Sequence, residues 1–320
     1  MKHWITFCLL VAGAFSALAQ GAFPNKQVRL MVGFAAGGPT DQVARLLALE
    51  LSEKFKQPFI VDNRPGGNGA VATQMVINSN PDGHTLLVGT SGALTVSPSL
   101  LKVMPYKPLV DLTPIGALAG YPYALVVSPD LPVQDVKSLV EYVRANPGKV
   151  SFSSAGIGSV NHLAGEWLKS LATIDITHVP YKGDAPALID LMSGRVQMGF
   201  NTLTTSLPQV RAGKLRAIAV TSEVPTNLAP GLPAMAQIGF PGFVVEPWNG
   251  ILGPAGMPKD VVQQLNRAMN EILSRPDVQA KVQATGQYVL LGDEDAMRKR
   301  MERETVKWRD VARLANVQPE

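Results

Sequence analysis

The stretch VRLMVGFAAGGPTD, residues 28–41, decides the fold. It opens with a short apolar run rich in β-branched residues, which is typical of a buried strand. Gly37 and Gly38 then form a loop, and Pro39 leads into apolar positions at helical spacing as far as Phe55. A strand, a glycine loop and a helix in this order predict the first unit of an α/β fold.

The same alternation recurs along the chain. Strands are predicted at residues 28–34, 59–61, 85–89, 124–127, 150–153, 176–179, 196–200 and 215–221. Helices lie between them, including one from about Ser159 to Leu171. The segment from Pro225 to Pro258, rich in proline and glycine, is predicted to be irregular, with helices alone after it. The alternation therefore predicts largely parallel sheets.

The first nineteen residues have the pattern of a secretory signal peptide. Lys2 and His3 precede an apolar stretch, which ends in Ala17-Leu18-Ala19. We expect cleavage between Ala19 and Gln20 and a periplasmic mature chain. Cys8, the one cysteine, lies in this leader, so the mature chain has no cysteine nucleophile, disulfide or cysteine-bound zinc.

The composition excludes two further classes of protein, disordered chains and nucleic-acid-binding proteins. Hydrophobic residues make up 46% of the chain and charged residues 17%, which excludes a disordered chain. The net charge is only +4, and its longest basic run, residues 298–300, is followed at once by acids. We read that run as the solvated face of a helix, so nucleic acid is not an expected partner.

Four loops follow predicted strands, where the ligand crevice of an open α/β sheet lies. They cover residues 35–40, 90–92, 153–159 and 201–202. Glycines let backbone N–H groups approach a ligand, and a helix start adds unpaired donors, which suits a carboxylate. The alternative is that each loop is only a tight turn with a helix cap.

Signatures of enzymes are absent from the sequence. Residues 156–161 lack the third glycine of a dinucleotide fingerprint, and Ala93 stands where a nucleophile elbow needs glycine. No cluster has metal-ligand spacing, so no metal, cofactor or catalytic residue is predicted. Ser159 and His162, three residues apart on a helix, leave an exported hydrolase or transferase as the alternative from another class.

Further motifs follow residues 28–41 in a fixed order. They are FPNKQVR (23–29), DNRPGG (62–67), PDGHTLL (81–87), SSAG (153–156), HLAGE (162–166), HVPYKG (178–183), PAL (186–188), AGKLRA (212–217) and LGPAGMP (252–258). The ordered set resembles the tripartite tricarboxylate transporter solute-binding family, also called the Bug receptors. The resemblance covers almost the whole mature chain.

That resemblance implies a two-lobed α/β periplasmic binding protein of type II-like fold. Each lobe would be a mixed sheet flanked by helices, with residues 20–123 and 246–320 in lobe 1 and residues 124–245 in lobe 2. A small carboxylate would bind in the interlobe cleft of a monomer without enzymatic activity. The partner would be the permease of a tripartite tricarboxylate transporter or, alternatively, a sensor protein.

The resemblance also assigns ligand contacts by motif position. They are Phe34, Gly37, Thr40, Thr90, Ser91, Ser154, Ala155, Gly156, Ser159 and Asn201, with His162 as a weaker candidate that supports the second loop. Relatives commonly carry an acid where Asn201 stands and an aromatic residue where Asn249 stands. The missing acid favours a ligand without an amino group.

Overall fold

The computed structural model describes residues 23–318, so the predicted signal peptide and Cys8 lie outside the described residues. Its first part begins with the strand, loop and helix that the opening stretch predicts. The elements are β1 (Val28–Val32), α1 (Pro39–Phe55), β2 (Phe59–Asn63), α2 (Ala70–Ile77), β3 (Thr85–Thr90), α3 (Ser97–Leu100), α4 (Pro108–Asp111) and β4 (Leu112–Gly120). A 3₁₀ turn at Gly67–Gly69 precedes α2, and a π-helical turn at Gly92–Val96 follows β3.

The middle of the chain repeats the alternation. Its elements are β5 (Tyr123–Val127), α5 (Val136–Ala145), β6 (Val150–Ser154), α6 (Val160–Ala172), β7 (Ile176–Pro180), α7 (Asp184–Met192), β8 (Met198–Thr202), α8 (Leu203–Arg211) and β9 (Arg216–Val220). The predicted helix near Ser159–Leu171 is confirmed as α6, because Ser159 is its N-cap and accepts a hydrogen bond from the His162 amide.

The last part returns to the first sheet. Its elements are a 3₁₀ turn (Met235–Gln237), β10 (Trp248–Pro254), α9 (Lys259–Leu273), α10 (Pro276–Ala284), β11 (Tyr288–Val289) and α11 (Glu294–Leu314). Within residues 23–318, the helices are all too short or too polar to cross a membrane.

The strands form two mixed sheets, with the order β11-β4-β10-β3-β1-β2 in the first and β7-β6-β8-β5-β9 in the second. Strands β1 to β3 are parallel to one another, and so are β6 to β8. The other pairings, formed by β4, β5, β9, β10 and β11, are antiparallel. The expectation of largely parallel sheets is therefore too simple, and the mixed sheets that the resemblance implies are confirmed.

The segment predicted to be irregular, Pro225–Pro258, contains a central strand of the first sheet. Its glycines mark close packing and not a loop. A Cβ on Gly250 would lie 2.4 Å from the Met297 Cε atom, and one on Gly253 would lie 1.9 Å from the Met257 Sδ atom. Strand β10 needs these glycines because helix and loop side chains press directly on its backbone.

The chain passes between the two sheets at two adjacent strand connections. The Tyr121 amide donates to the Pro247 carbonyl at 3.0 Å. Thr221 ties the connections together, because its hydroxyl accepts from the Tyr123 amide at 2.8 Å and donates to the Val245 carbonyl at 2.6 Å. These hydrogen bonds hold the two connections side by side at the crossing between the sheets.

Helix α11 packs against both sheets. Met297 and Met301 are buried in a cluster with residues of the first sheet. Trp308, Val311 and Ala312 are buried in the core of the second sheet. The division into lobes at residues 123 and 246 stays a prediction. It assigns all of α11 to lobe 1, but the second half of this helix contributes to the core of lobe 2.

Candidate binding cleft

The carboxyl ends of the parallel strands in the two sheets face each other. The loops after β2 and β3 of the first sheet contact the loop after β6 of the second sheet. The Asn68 side-chain amide donates to the Gly158 carbonyl at 2.9 Å, and the Ser97 hydroxyl donates to the same oxygen at 3.3 Å. These bonds join a loop of the first sheet to a loop of the second, so the two walls form one cleft in a closed arrangement.

Strand β10 fixes two predicted contact residues on the first wall. The Thr40 hydroxyl donates to the Asn249 side-chain oxygen at 3.0 Å, and the Ser91 hydroxyl accepts from the Trp248 amide at 3.3 Å. All four residues are buried. Sequence reasoning treated Asn249 only as a departure from the family pattern and gave it no partner.

The loop before α1 closes on itself. The Gly37 amide donates to the Asp41 carboxylate at 2.9 Å, and the Gly37 backbone has a positive φ of 89°. Burial alone would raise the pKa of Asp41, but hydrogen bonds from Arg45, Gly37 and Asn63 lower it. The Gly37 amide is therefore already engaged within the loop.

Phe34 and Thr90 lie beside each other on the first wall. Both line a small apolar recess. The Phe34 ring packs against Gly69 there, because a Cβ built on Gly69 would lie 3.6 Å from the Phe34 Cε2 atom. The Thr90 hydroxyl accepts from the Ala93 amide at 3.4 Å and so starts the π-helical turn. Both predicted residues shape this wall through packing and local hydrogen bonds.

On the second wall, Ser154 supports its own loop. Its hydroxyl lies 2.6 Å from His178 Nε2 and accepts from the Gly156 amide at 3.1 Å. The Ala155 amide donates to the Asn161 side-chain oxygen at 3.2 Å. Ser154 is fully buried, so it positions the loop from within the lobe.

Ser159 and His162 do not form the pair on which the hydrolase alternative depends. The Ser159 hydroxyl donates to the Gly156 carbonyl at 2.5 Å and accepts from the backbone amide of His162. The His162 ring instead stacks on the His178 ring, with centroids 3.9 Å apart. The i, i+3 spacing brings Ser159 to the His162 backbone because the hydroxyl is used as a helix cap.

The stacked histidines are neutral near pH 7. Burial lowers the pKa of His162 to about 4. Burial and the neighbouring His162 lower the pKa of His178 to about 3. Both rings, with Glu166 and Val317, line an open cavity of about 440 Å³.

Asn201 lies near the carboxyl end of β8, and an acid that sequence reasoning missed, Asp184, follows the carboxyl end of the parallel strand β7. Asn201 is buried, and its side-chain oxygen has no hydrogen-bond partner among the described residues. Nearby, the Asn161 amide donates to the Asp184 carboxylate at 3.1 Å and to the Phe200 carbonyl at 3.3 Å. Burial raises the pKa of Asp184 to about 6 against the lowering effect of the Asn161 bond. An acid therefore lies beside the start of α6, although residue 201 is an asparagine.

No metal centre accompanies the cleft within residues 23–318, where no three histidine, cysteine or acidic side chains cluster closely enough to hold an ion.

Comparisons with known proteins agree with this architecture. Residues 43–316 match the family described as tripartite tricarboxylate transporter family receptor. Protein BugT of Bordetella pertussis is 34% identical over 306 residues, which cover 95% of this chain and 94% of that protein. A protein of R. palustris solved with adipate has a TM-score of 0.89 at 35% identity, covering 93% of this chain and 100% of that one. MatC from Rhodopseudomonas palustris, solved with bound malate, has a TM-score of 0.83 at 32% identity, covering 90% and 99%.

Proposed function

Because the chain belongs to the tripartite tricarboxylate transporter receptor family, we propose that it captures a small carboxylate in the periplasm and delivers it to a tripartite transporter. The ligand binds between lobe 1 (residues 20–123 and 246–320) and lobe 2 (residues 124–245). One solved relative holds adipate and another holds malate, which supports a carboxylate ligand here. A signal peptide cleaved between Ala19 and Gln20 exports the receptor, which acts as a monomer.

The observation that carries the proposal is that each wall of the cleft holds the start of a helix. Helix α1 begins at Pro39 on one wall and α6 begins at Val160 on the other. The amides of Thr40 and Asn161, at these helix starts, find no acceptor within residues 23–318. Unpaired amides with the partial positive charge of a helix N-terminus suit a carboxylate without any arginine or lysine.

The contact residues divide into two roles. Thr40, Ser91 and Asn201 are the polar side chains that we assign to the ligand, together with the loop Ala155–Gly156. Ser154, Ser159, Gly37, Phe34 and Thr90 hold the loops in shape through the contacts described above. His162 acts indirectly, because it stacks on the histidine that holds Ser154.

Binding works through lobe closure. A ligand that contacts both walls binds the closed form better than the open form and shifts the population towards it. The bond between Asn68 and Gly158 exists only when the walls meet. A transporter then recognises the closed receptor. A sensor protein would recognise the same closed form, so the two roles differ in the partner and share the cleft.

The first test is thermal melting of the chain from Gln20 onward against a panel of carboxylates. A ligand at 100 times its dissociation constant adds about 2.7 kcal/mol of apparent stability. Thr40→Val keeps the shape of the side chain and removes the hydroxyl, so it should reduce the shift that the best acid produces. Thr177→Val, at an exposed strand position of lobe 2, is the matched control.

Three results would count against the proposal. No shift with any carboxylate would refute carboxylate binding. An equal shift for Thr40→Val and wild type would remove Thr40 from the site. Turnover of the acid or its ester by the purified protein would favour the hydrolase alternative.

A further inference from the structure

Asp184 is a carboxylate on the cleft edge without a cation to neutralise it. It is the first residue of α7 and follows the parallel strand β7, so it lies where the second wall faces the first. One oxygen accepts from Asn161 at 3.1 Å, and no other hydrogen bond to the side chain is formed within residues 23–318. No lysine, arginine or histidine of that range lies within 4.0 Å of it, and Lys182, two residues earlier, is exposed.

The sheet face that α7 covers holds two more oxygens that lack a donor. The Asn201 side-chain oxygen and the Ser153 hydroxyl both lie 2.8 Å from the position of a Cβ built on Gly199. Both residues are about 1% exposed, and neither atom has a partner in the described chain. They lie on the face of the second sheet that α7 covers, because Leu191 of α7 approaches the same glycine. A buried acceptor without a donor is costly, which makes this corner complementary to a donor.

Asp184 is also close to the crossing between the lobes. Burial raises the pKa of Tyr121 and Tyr123, and the charge of Asp184 raises both further. Tyr121 lies in the connection from β4 to β5, and Tyr123 is the first residue of β5. Asp184 therefore lies near the crossing between the lobes.

We propose that Asp184 is a specificity-determining residue, which selects carboxylates that carry a hydrogen-bond donor, either an ammonium or a hydroxyl group. This inference rests on the proposed function, because it takes the ligand to be a carboxylate in the cleft. The helix starts bind the carboxylate end, and Asp184 accepts a hydrogen bond from the other end. A ligand without a donor leaves two like charges facing each other in a closed, poorly hydrated site. Asp184 thus replaces the acid missing at Asn201, which removes the ground for expecting a ligand without an amino group.

The test is calorimetric titration at pH 8, where Asp184 is ionised, with acids matched in length. The four-carbon set is succinate, malate and aspartate, and the six-carbon pair is adipate and 2-aminoadipate. We expect a donor-bearing acid to bind about tenfold to a hundredfold more tightly than its unsubstituted partner. Asp184→Asn should remove that preference and raise the affinity for the unsubstituted acid, so the two effects have opposite signs.

Asp175→Asn is the matched control, because it removes the same charge from an exposed residue just before β7, at the other end of that strand. It should leave the preference unchanged. Should Asp184→Asn not fold, as judged by circular dichroism, Asp184→Ser serves in its place.

Several results would overturn the inference. Equal affinities of the wild type for matched acids, or a preference that survives in the Asp184 variant, would do so while leaving the receptor role intact. No binding of any of the five acids would overturn carboxylate reception and the inference together.

Discussion

At the scale of single residues, the stacked pair His162 and His178 couples the loop 154–156 to the interior of lobe 2. His178 holds Ser154, and Ser154 holds the Gly156 amide. His162 covers the outer face of His178, and its Nδ1 atom is buried without a partner. Two neutral rings pack well here, whereas a charged ring would be buried without a counter-ion.

This arrangement predicts that stability is lost in acid. In the unfolded chain each imidazole takes up a proton near pH 6.5, while the pKa of folded His162 is about 4 and that of folded His178 is about 3. The unfolded state therefore binds more protons as the pH falls below 6.5, and the free energy of unfolding decreases. The loss approaches about 1.4 kcal/mol per pH unit for each histidine.

The variant His162→Phe isolates this effect. Phenylalanine keeps the stack and has no titrating group, so the slope of stability against pH between 6.5 and 4 should become shallower than in the wild type. Urea denaturation at several pH values measures both slopes. Asp184 acts with the opposite sign, since its raised pKa adds stability as the pH falls, but this contribution is common to both proteins. Identical slopes would contradict the assignment of His162.

At the scale of elements, helix α6 links stability to binding through its cap. The Ser159 hydroxyl satisfies the His162 amide and also holds the Gly156 carbonyl. Helix α5 offers a comparison, because Asp135 caps it through the Ser138 amide at 2.7 Å. Strand β5, which precedes α5, is antiparallel to β8, so this second cap lies at the edge of the sheet away from the cleft.

Removing either cap should therefore give different outcomes. Ser159→Ala and Asp135→Ala should each cost about 0.5–2 kcal/mol of stability, because each leaves a helix amide without its acceptor. Only Ser159→Ala should also weaken ligand binding, since it releases the Gly156 loop. Denaturation and titration of both variants with the best acid test this. Weaker binding by Asp135→Ala to the same degree would show a general loss of stability and no link to the loop.

Gly165 shows that packing against a neighbouring strand, and not helix propensity, sets the position of α6. It lies inside α6, where alanine would ordinarily stabilise a helix by about 1 kcal/mol. A Cβ at this position would lie 2.1 Å from the Phe152 ring on β6. The glycine lets helix and strand approach closely enough to bury that ring.

We accordingly expect Gly165→Ala to destabilise lobe 2 by about 1–3 kcal/mol, the usual range for overpacking. Phe152→Leu alone should also destabilise, through a cavity. The double variant should lose less than the sum, because the smaller side chain makes room for the added methyl group. Chemical denaturation of the four proteins gives the coupling, and simple additivity would be the contrary result.

At the scale of the whole molecule, Asn68 connects the two lobes. Its backbone has φ 51°, a left-handed conformation that asparagine and glycine tolerate. Its side-chain amide donates to Gly158 and to the Ser97 hydroxyl, the first across the cleft and the second within lobe 1. Asn68→Gly would remove the cross-lobe bond without straining the backbone.

That variant should weaken the closed form selectively. Loss of one or two hydrogen bonds, each about 0.5–1.5 kcal/mol, predicts a few-fold to tenfold weaker binding with nearly unchanged unfolding stability. Calorimetry measures the affinity, and small-angle scattering measures closure with saturating ligand. Asn78→Gly, at an exposed position after α2, is the control. Unchanged affinity in Asn68→Gly would mean that this contact does not contribute to closure.

Local patterns predicted most of the elements. Strands β1 and β2, which begin at Val28 and Phe59, follow from runs of apolar residues. Helix α6 follows from apolar periodicity and from the cap at Ser159. Both signals are properties of a few neighbouring residues. Strand β10 was missed because glycines and a proline lower its propensity. Its strand conformation comes from the neighbours β3 and β4 and from Met297, all distant in sequence.

The sequence alone determined that each of the four loops follows a strand and precedes a helix or turn, and it determined the family through motifs in a fixed order. The tertiary structure decided what each of those residues does. It engages Gly37 and Ser154 within their own loops, pairs His178 with Ser154, ties Thr40 to Asn249, and brings Asp184 to Asn161. The reason is physical: periodicity and capping act between near neighbours, whereas hydrogen bonds, burial and charge depend on residues that the fold brings together.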